Sequence, residues 1–255
     1  MKNSRRFGLF LMLLLLPVTL NYFSPYLIID GLINKVAAGA FFVWLAMFIT
    51  SLFFGRAFCA YVCPYGGLQM TMDLVLQKPL KQIPWLRKVR YVLGFIWIGT
   101  ILIAFISNIG SMKIDFFYLT ESFVSVDNIQ KLIFYYVIVI LLSLMPIFLG
   151  KRATCHYLCL MSILNVMGTK IKNAINMPSL RLQADSSKCV GCKQCTKACA
   201  MSLKVHEMVK KENMNNNDCI LCGECCKACK TVAIKRVYGK KLSHTITKGK
   251  SNLKL

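Results

Sequence analysis

Eight of the thirteen cysteines in this 255-residue chain lie in two short runs that share one spacing, C-x2-C-x2-C-x3-C. The members are Cys189, Cys192, Cys195 and Cys199 in the first run, and Cys219, Cys222, Cys225 and Cys229 in the second. Cysteines two or three residues apart meet at a common centre more easily than they pair with distant partners. The spacing therefore favours ligation of metal or iron–sulfur centres in a reducing compartment over a set of disulfides.

The repeated spacing is typical of bacterial proteins that hold two [4Fe–4S] clusters, in which the fourth cysteine of each run ligates the other cluster. A zinc site would instead favour C-x2-C pairs separated by longer spacers. We therefore predict two clusters with crossed ligands. The ligand sets are Cys189, Cys192, Cys195 and Cys229 for the first cluster, and Cys199, Cys219, Cys222 and Cys225 for the second. Gly191 and Gly223 suit the tight turns that wrap such a centre.

Two features depart from the usual pattern of these runs. The proline that commonly follows the fourth cysteine is replaced by Ala200 and by Lys230, which removes a rigid turn but no ligand. Cys226 is surplus to the spacing. A shifted second run that uses Cys226 in place of Cys225 stays open, beside the interpretation of Cys226 as a buried thiol near the cluster.

The rest of the chain is dominated by apolar stretches. The chain is 56% hydrophobic and only 16% charged, whereas a soluble domain carries about a quarter charged residues. Each stretch is close to the roughly 20 residues that a spanning helix needs. We predict four transmembrane helices, at residues 7–29, 36–54, 91–107 and 129–150. The first is interpreted as an uncleaved helix kinked at Pro17 and Pro25, because no small-residue cleavage site follows it.

These features predict three regions. Residues 1–174 form an all-α membrane domain with four transmembrane helices. Residues 175–237 form a small α+β domain like a two-cluster bacterial ferredoxin, in which alternating residues at 179–185 and 231–237 predict two antiparallel strands. Residues 238–255 form a basic flexible tail.

The charge distribution predicts the orientation in the membrane. Lys and Arg outnumber Asp and Glu by 32 to 10, a net charge of +22. The excess lies at the N-terminus, in the loop 55–90 and after residue 150, so we predict a multi-pass protein of the cytoplasmic membrane with both termini in the cytoplasm. The basic tail is expected near anionic lipid rather than on nucleic acid. The Lys-rich ferredoxin domain is expected to dock an acidic redox partner.

A second cysteine pattern follows the second and fourth apolar stretches. The motif A-x-C-x-Y-x-C occurs at residues 57–63 and again at 153–159, an offset of 96 residues that indicates an internal repeat. If the motif is helical, the two cysteines of each copy lie one turn apart on one face. Four thiolates could then ligate a third metal or iron–sulfur centre, with separate thiols or redox-active pairs as the alternatives. The four are Cys59, Cys63, Cys155 and Cys159.

Other residues near these pairs are candidates for contact with a redox cofactor. His156 could bind a quinone oxygen or a haem, although a hydrogen-bonding structural role is more common for such a residue. Tyr61, Tyr65 and Tyr157 could line a quinone pocket or simply lie at the membrane interface. The sequence carries no Gly-rich nucleotide loop and no catalytic triad. An electron carrier, or a quinol-oxidising subunit of an oxidoreductase complex, is therefore favoured over a stand-alone enzyme.

This layout of four helices, cysteine pairs after helices two and four, and a two-cluster tail resembles the NapH/MauN-type membrane-bound 4Fe–4S ferredoxins over nearly the whole chain. Similar C-x3-C-P pairs occur in polyferredoxin-like proteins of the NosR/CcoG type; here Leu160 stands where the first copy has Pro64. The resemblance implies an anchored carrier that passes electrons between a membrane redox pool, quinol in the NapH type, and another redox protein. The alternatives are a CcoG-like accessory ferredoxin that reduces metal during assembly of a respiratory enzyme, and a structural anchor.

Overall fold

The structure is a computed structural model that describes residues 2–76, 78–118, 125 and 129–240. Most of these residues are helical, and two short strand pairs accompany the helices. The basic tail expected at 238–255 falls outside the described residues from position 241 onward. The acidic loop residues Glu121 and Asp127, which contributed to the predicted orientation, fall outside them too.

The first apolar stretch forms several short helices, and the single kinked helix predicted for residues 7–29 is wrong. Ser24 is extended, with φ −78° and ψ 121°, because the ring of the following Pro25 disfavours helical backbone at the preceding residue. Pro25 then starts a new helix, where its missing N–H is no loss. The elements are α1 (Lys2–Leu14), α2 (Leu16–Thr19), a 3-10 turn (Asn21–Phe23) and α3 (Pro25–Ile33).

The second apolar stretch begins with a short strand, β1 (Val36–Ala38), and continues as α4 (Gly39–Phe54). Helix α4 is 16 residues long, which is shorter than a typical spanning helix. Two short helices follow it, α5 (Ala57–Tyr61) and α6 (Pro64–Val75). Residues 1–174, called the membrane domain below after the prediction, are therefore not purely helical. This corrects the all-α domain that we expected.

Two helices are long and apolar enough to cross a membrane, α7 (Pro84–Asn108) and α8 (Ile129–Leu149). Only 17% of the most apolar stretch of α7 and 6% of that of α8 are buried inside the protein. Their apolar surfaces therefore face outward and suit lipid. Between them lies β2 (Lys113–Asp115), which pairs in parallel with β1. These two helices support membrane association, and the predicted total of four spans is not confirmed.

The cysteine pairs occupy corresponding places in the fold. Two helices follow α8, namely α9 (Ala153–Tyr157) and α10 (Met161–Ala174). Helices α5 and α9 have the same length and are offset by 96 residues, as the sequence repeat predicts. Helix α10 packs against α4, α6 packs against α1 and α8, and α9 packs against α7 and α8. Trp44 of α4 and Trp97 of α7 meet at 4.6 Å between ring centroids inside this bundle.

The C-terminal module is built around a pair of strands. Its elements are β3 (Ser179–Ala184), a 3-10 turn (Ser186–Lys188), α11 (Gln194–Lys197), α12 (Val205–Lys210), α13 (Glu224–Ala228) and β4 (Ile234–Gly239). Strands β3 and β4 are antiparallel, which confirms the predicted pairing, although β4 begins three residues later than expected. The apolar core of the module includes Met201, Val205 and Ile220 and extends to Cys59 and Ala60 of α5. The module therefore packs directly on Cys59 and Ala60 of α5.

Candidate functional site

One small cavity in the C-terminal module is lined by three cysteines of the first run and the last cysteine of the second. His206 also lines it, and its Nδ1 lies 3.9 Å from Cys189 Sγ. The backbone N–H of Ala233 donates to Cys229 Sγ at 3.3 Å. The fold thus brings the last cysteine of the second run to the first run. The four form the first predicted ligand set, Cys189, Cys192, Cys195 and Cys229.

A second cavity collects the other predicted ligand set. Its remaining wall is apolar and includes Met201, Met208, Met214 and Ile220. Cys226 is not among the described residues that line either cavity, whereas its neighbour Cys225 lines this one. The cysteines of this set are Cys199, Cys219, Cys222 and Cys225.

The loops of the two runs have the same backbone conformation. In each loop the residues two and four positions after the first cysteine are left-handed: Gly191 and Lys193 have φ of 75° and 56°, and Leu221 and Gly223 have φ of 53° and 75°. Glycine adopts this conformation freely, but a lysine or leucine there costs on the order of 1 kcal/mol or more. The surrounding structure therefore imposes the same turn on both runs.

The four cysteines of the A-x-C-x-Y-x-C motifs are Cys59, Cys63, Cys155 and Cys159, and we name them the membrane-face cysteines after their expected place. The two cysteines of each copy do not share one helical face, so the expectation of a shared face is wrong. The N–H of Cys63 donates to the carbonyl of Phe58 at 3.1 Å, and the N–H of Cys159 donates to Thr154 at 3.0 Å. These bonds close α5 and α9 and place the second cysteine of each copy in the turn that follows. Pro64 favours the turn in the first copy, and the second copy makes it without a proline.

All four membrane-face cysteines nevertheless come together. Cys63 interacts electrostatically with the other three thiols. Burial raises its pKa most, and these three neighbours raise it further. Burial raises the pKa of Cys155 to about 12 and also raises that of Cys159. The thiolate form of such a set needs a compensating positive charge. A bound metal centre would supply that charge.

The donor chemistry of the three cysteine sets fits iron–sulfur ligation. All are sulfur-only, which suits soft metal centres. The sulfur atoms of Cys63 and Cys159 also accept backbone N–H bonds, from Gly66 and Ser162. Among the described residues no three His, Cys, Asp or Glu side chains converge closely enough for a single metal ion.

A buried ionic network joins the second run to the membrane domain. Asp218, directly before Cys219, is 5% exposed. Its carboxylate lies 3.1 Å from Arg90 and 3.6 Å from Arg56. Burial acts to raise the pKa of Asp218, but His156 and the two guanidinium groups hold it below its usual value. Burial lowers the pKa of His156 to about 4, so at neutral pH the arginines carry the balancing charge.

The residues of the repeat that lie between paired cysteines have different roles in the two copies. The hydroxyl of Tyr61 donates to the carbonyl of Cys222 at 3.2 Å and accepts from Arg236 at 2.6 Å. The hydroxyl of its counterpart Tyr157 binds Lys81 and Ile83 in the loop before α7. Tyr61 therefore connects the first cysteine pair to the second run, whereas Tyr157 stays within its own domain.

A large apolar cavity lies among the helices of the membrane domain. Its volume is about 700 Å³, and its walls include Tyr65, Gln69, Cys155 and Cys159. Tyr65 is thus the one of the three candidate tyrosines that lines it. His156 is fully buried elsewhere, and its Nε2 lies 3.1 Å from the carbonyl of Met201, which gives it the structural role rather than a ligand role.

Gln69 is a polar group inside this apolar wall. Its side chain is 1% exposed, and its Nε2 donates to the carbonyl of Leu142 at 3.1 Å. Its Oε1 has no hydrogen-bond partner among the described residues. A buried acceptor without a donor costs about 1–3 kcal/mol, so this oxygen is a polar exception in the apolar wall.

Sequence reasoning missed the buried network and the cavity acceptor. Arg56 and Arg90 contributed only to the predicted topology, and Asp218 and Gln69 received no role. One signal was available: Arg56 and Arg152 both stand three residues before the first cysteine of a pair. Both are 1% exposed, which is unusual for arginine unless it is paired.

Comparison with known proteins supports the iron–sulfur interpretation. Residues 36–82 match the Fer4_5 family model, a 4Fe–4S binding domain. This segment contains Cys59 and Cys63 and neither of the two four-cysteine runs. The family model therefore supports at least one [4Fe–4S] centre in this chain.

Two curated proteins are similar to most of the chain. An uncharacterized protein of Methanocaldococcus jannaschii is 23% identical over 192 residues, which cover 72% of this chain and 69% of the relative. The "Putative electron transport protein YccM" of Escherichia coli is 26% identical over 207 residues, covering 72% of this chain but only 52% of the relative. No solved structure matches significantly. Together the similarities support a 4Fe–4S ferredoxin-like family and an electron-transfer role, and leave the NapH/MauN type unconfirmed.

Proposed function

We propose that this chain is a membrane-anchored iron–sulfur protein that carries electrons between a membrane redox pool and another redox protein. The observation that carries the proposal is the position of the membrane-face cysteines. Cys155 and Cys159 line the apolar cavity of the membrane domain. Cys59 and Cys155 also pack into the core that contains Cys219 and Cys222 of the second run. Three of the four thiols thus contact the membrane cavity, the core of the C-terminal module or both, and Cys155 contacts both.

Three sulfur sets are proposed to hold clusters. The two crossed sets of the C-terminal module would each hold one [4Fe–4S] cluster, and the membrane-face set would hold a third iron–sulfur or metal centre. When bound, such clusters accept and release single electrons at potentials tuned by burial and by hydrogen bonds to sulfur. In this chain the N–H of Ala233 beside Cys229 and the N–H of Gly66 beside Cys63 supply such bonds.

The membrane redox pool is proposed to be quinol, bound in the apolar cavity. A cavity of about 700 Å³ falls in the range of small-molecule sites, which are mostly apolar with a few polar groups. Gln69 lies in this wall, and its Oε1 would accept a hydrogen bond from a quinol hydroxyl once the side chain turned towards the cavity. Cys155 and Cys159 in the same wall put the membrane-face set beside the bound ring.

The orientation and partners follow from charge. We propose a multi-pass protein of the cytoplasmic membrane with both termini in the cytoplasm, by the Lys and Arg bias of its loops. The electron partner is proposed to be an acidic redox protein, or a subunit of an oxidoreductase complex, that docks on the Lys-rich module. The basic tail would lie on anionic lipid.

Reporter fusions at Leu255 and in the loop 108–128 test the orientation: a C-terminal fusion active only in the periplasm would overturn it.

Metal analysis of the full-length protein, purified anaerobically in detergent, tests the central claim. Two [4Fe–4S] clusters require about eight irons, and a third requires about four more. Dithionite reduction should produce EPR signals of reduced clusters. A protein that holds zinc and shows no reducible signal after iron–sulfur reconstitution would contradict the proposal.

Adjacent cysteines offer a matched control for the ligand assignment. Cys225→Ser should lose or alter one cluster signal, because Cys225 lines the second cavity. Cys226→Ser should leave both signals unchanged. The crossed arrangement further predicts that Cys199→Ser changes the same signal as Cys225→Ser, while Cys229→Ser changes the other. If the effects of the Cys225 and Cys226 variants were exchanged, the shifted second run would be correct instead.

A further inference from the structure

We propose that the loop of the first cysteine run, residues 190–194, is the docking surface for a small soluble redox protein with an acidic surface. This inference rests on the proposed electron-transfer function and adds to it the place of contact. It is based on a difference between two loops that have the same sequence spacing and the same backbone turn.

The two cysteine loops differ sharply in exposure. Val190 is 72% exposed, whereas Ile220, at the matching position of the second run, is 1% exposed. All five residues from 190 to 194 are exposed, while Leu221 and Gly223 in the second loop are buried. Cys192 is likewise exposed, and its counterpart Cys222 is half-buried. One loop is therefore covered by the protein itself, and the other is open to solvent.

The membrane domain is what covers the second loop. Leu221 Cδ1 would lie only 3.0 Å from a Cβ atom added at Gly55, so its side chain packs directly on the end of α4. The hydroxyl of Tyr61 binds the Cys222 carbonyl, and Arg5 of α1 pairs with Glu224 at 3.3 Å. The second loop is thus occupied by contacts to the membrane domain, which leaves the first loop free for a partner.

The chemistry around the first loop fits an acidic partner. Lys193 and Lys230 are exposed and form no ion pair among the described residues. Two acidic groups of the module, Asp218 and Glu224, are instead taken up by arginines of the membrane domain. The exposed Val190 supplies an apolar contact in the same loop as Lys193. An apolar centre with a charged rim is the usual composition of a specific protein interface, and the cations would steer an acidic protein towards it.

The test uses the full-length chain in nanodiscs of neutral lipid and purified flavodoxin, a small acidic one-electron carrier, as the probe. We expect binding at low ionic strength that weakens as salt is added. Hydrogen–deuterium exchange should show protection of residues 190–194 in the complex and no added protection of residues 220–224. Absence of binding to the wild-type chain, or protection elsewhere on the module, would overturn the proposal.

A pair of matched variants separates a specific surface from general positive charge. Lys193→Gln should weaken binding of flavodoxin by roughly threefold or more, since a rim charge mainly affects encounter. Lys227→Gln removes the same charge from the second cysteine run, where Lys227 pairs with Glu224. This variant should leave binding of flavodoxin unchanged. Equal weakening by both variants would contradict a defined docking loop. Iron content and EPR spectra of the same samples report on the proposed function separately, because binding of the probe does not depend on that result.

Discussion

The carboxylate of Asp218 lies 3.1 Å from the guanidinium group of Arg90, and both side chains are buried. The two residues are 128 positions apart in the sequence. Arg90 belongs to the first turns of α7, a candidate membrane span, and Asp218 directly precedes Cys219. This pair therefore fixes the second cysteine run to the base of a membrane helix, and Arg56 adds a second buried cation.

Asp218→Asn should strongly destabilise the contact between the C-terminal module and the membrane domain. The variant leaves two buried guanidinium groups, those of Arg56 and Arg90, without their carboxylate. Breaking a buried ion pair in this way costs about 3–5 kcal/mol. We expect a lower midpoint of thermal unfolding in detergent and faster proteolysis between residues 175 and 187.

Asp185→Asn is the matched control for this change. Asp185 is an exposed acidic residue of the same module that pairs with Lys188, and asparagine retains an oxygen for the N–H of Ser187. The unfolding midpoint should stay at the wild-type value, because exposed ion pairs contribute little. If Asp218→Asn behaved like Asp185→Asn, the buried network would not be what holds the module.

Gly55→Ala should loosen the same interface from the membrane side. Gly55 has φ 59° and ψ −133°, a conformation readily adopted only by glycine, and a new Cβ would meet Leu221 and Lys172 at 3.0 Å. We expect the free energy of unfolding to fall by about 1–3 kcal/mol because of the backbone strain. Gly99→Ala in α7 is the control, since a Cβ there meets nothing within 4 Å. Thermal unfolding should separate the two variants, and an equal effect would contradict this packing.

Tyr61→Phe should loosen the second cysteine loop without unfolding the chain. It removes the hydroxyl that binds the Cys222 carbonyl and Arg236. Loss of such hydrogen bonds lowers the free energy of unfolding by about 1 kcal/mol. Hydrogen–deuterium exchange should rise in residues 219–225. The repeat provides the control: Tyr157→Phe should raise exchange near Lys81 and Ile83 and not in the second loop. The reverse pattern would show that the two tyrosines have been assigned to the wrong partners.

Cys59→Ser and Cys155→Ser should leave the two clusters of the C-terminal module intact but slow their exchange of electrons with the membrane. Those clusters draw on other ligands, so their EPR signals should persist. Cys155 lines the apolar cavity and also packs into the core that contains the second run, so loss of this set should interrupt transfer. Rapid-mixing absorbance in membranes measures the rate. If single serine variants at all four membrane-face cysteines exchanged electrons at the wild-type rate, these thiols would have no bridging role.

Much of the candidate site could be predicted from sequence because its information is local. Cysteines two or three residues apart must share a turn, so the spacing alone predicted the two loops. The structure shows both with left-handed residues at the same two positions, Gly191 and Lys193 in the first and Leu221 and Gly223 in the second. The apolar parts of α7 and α8 were likewise visible as runs in the sequence, although α7 begins at Pro84, before the span predicted at 91–107. The single long helix expected at the N-terminus failed, because the extended residue before Pro25 ends helical backbone locally.

The sequence by itself determined the spacing of the cysteine sets, the repeat of the membrane-face pairs and the apolar lengths, since each depends on residues near one another in the chain. Only the tertiary structure decided that Asp218 meets Arg90, that Tyr61 reaches Cys222, and that the second cysteine loop is covered while the first stays exposed. The runs have nearly the same pattern, so nothing local distinguishes them. Burial is a property of what packs against a loop, and the contacts that cover this one come from residues more than one hundred positions away.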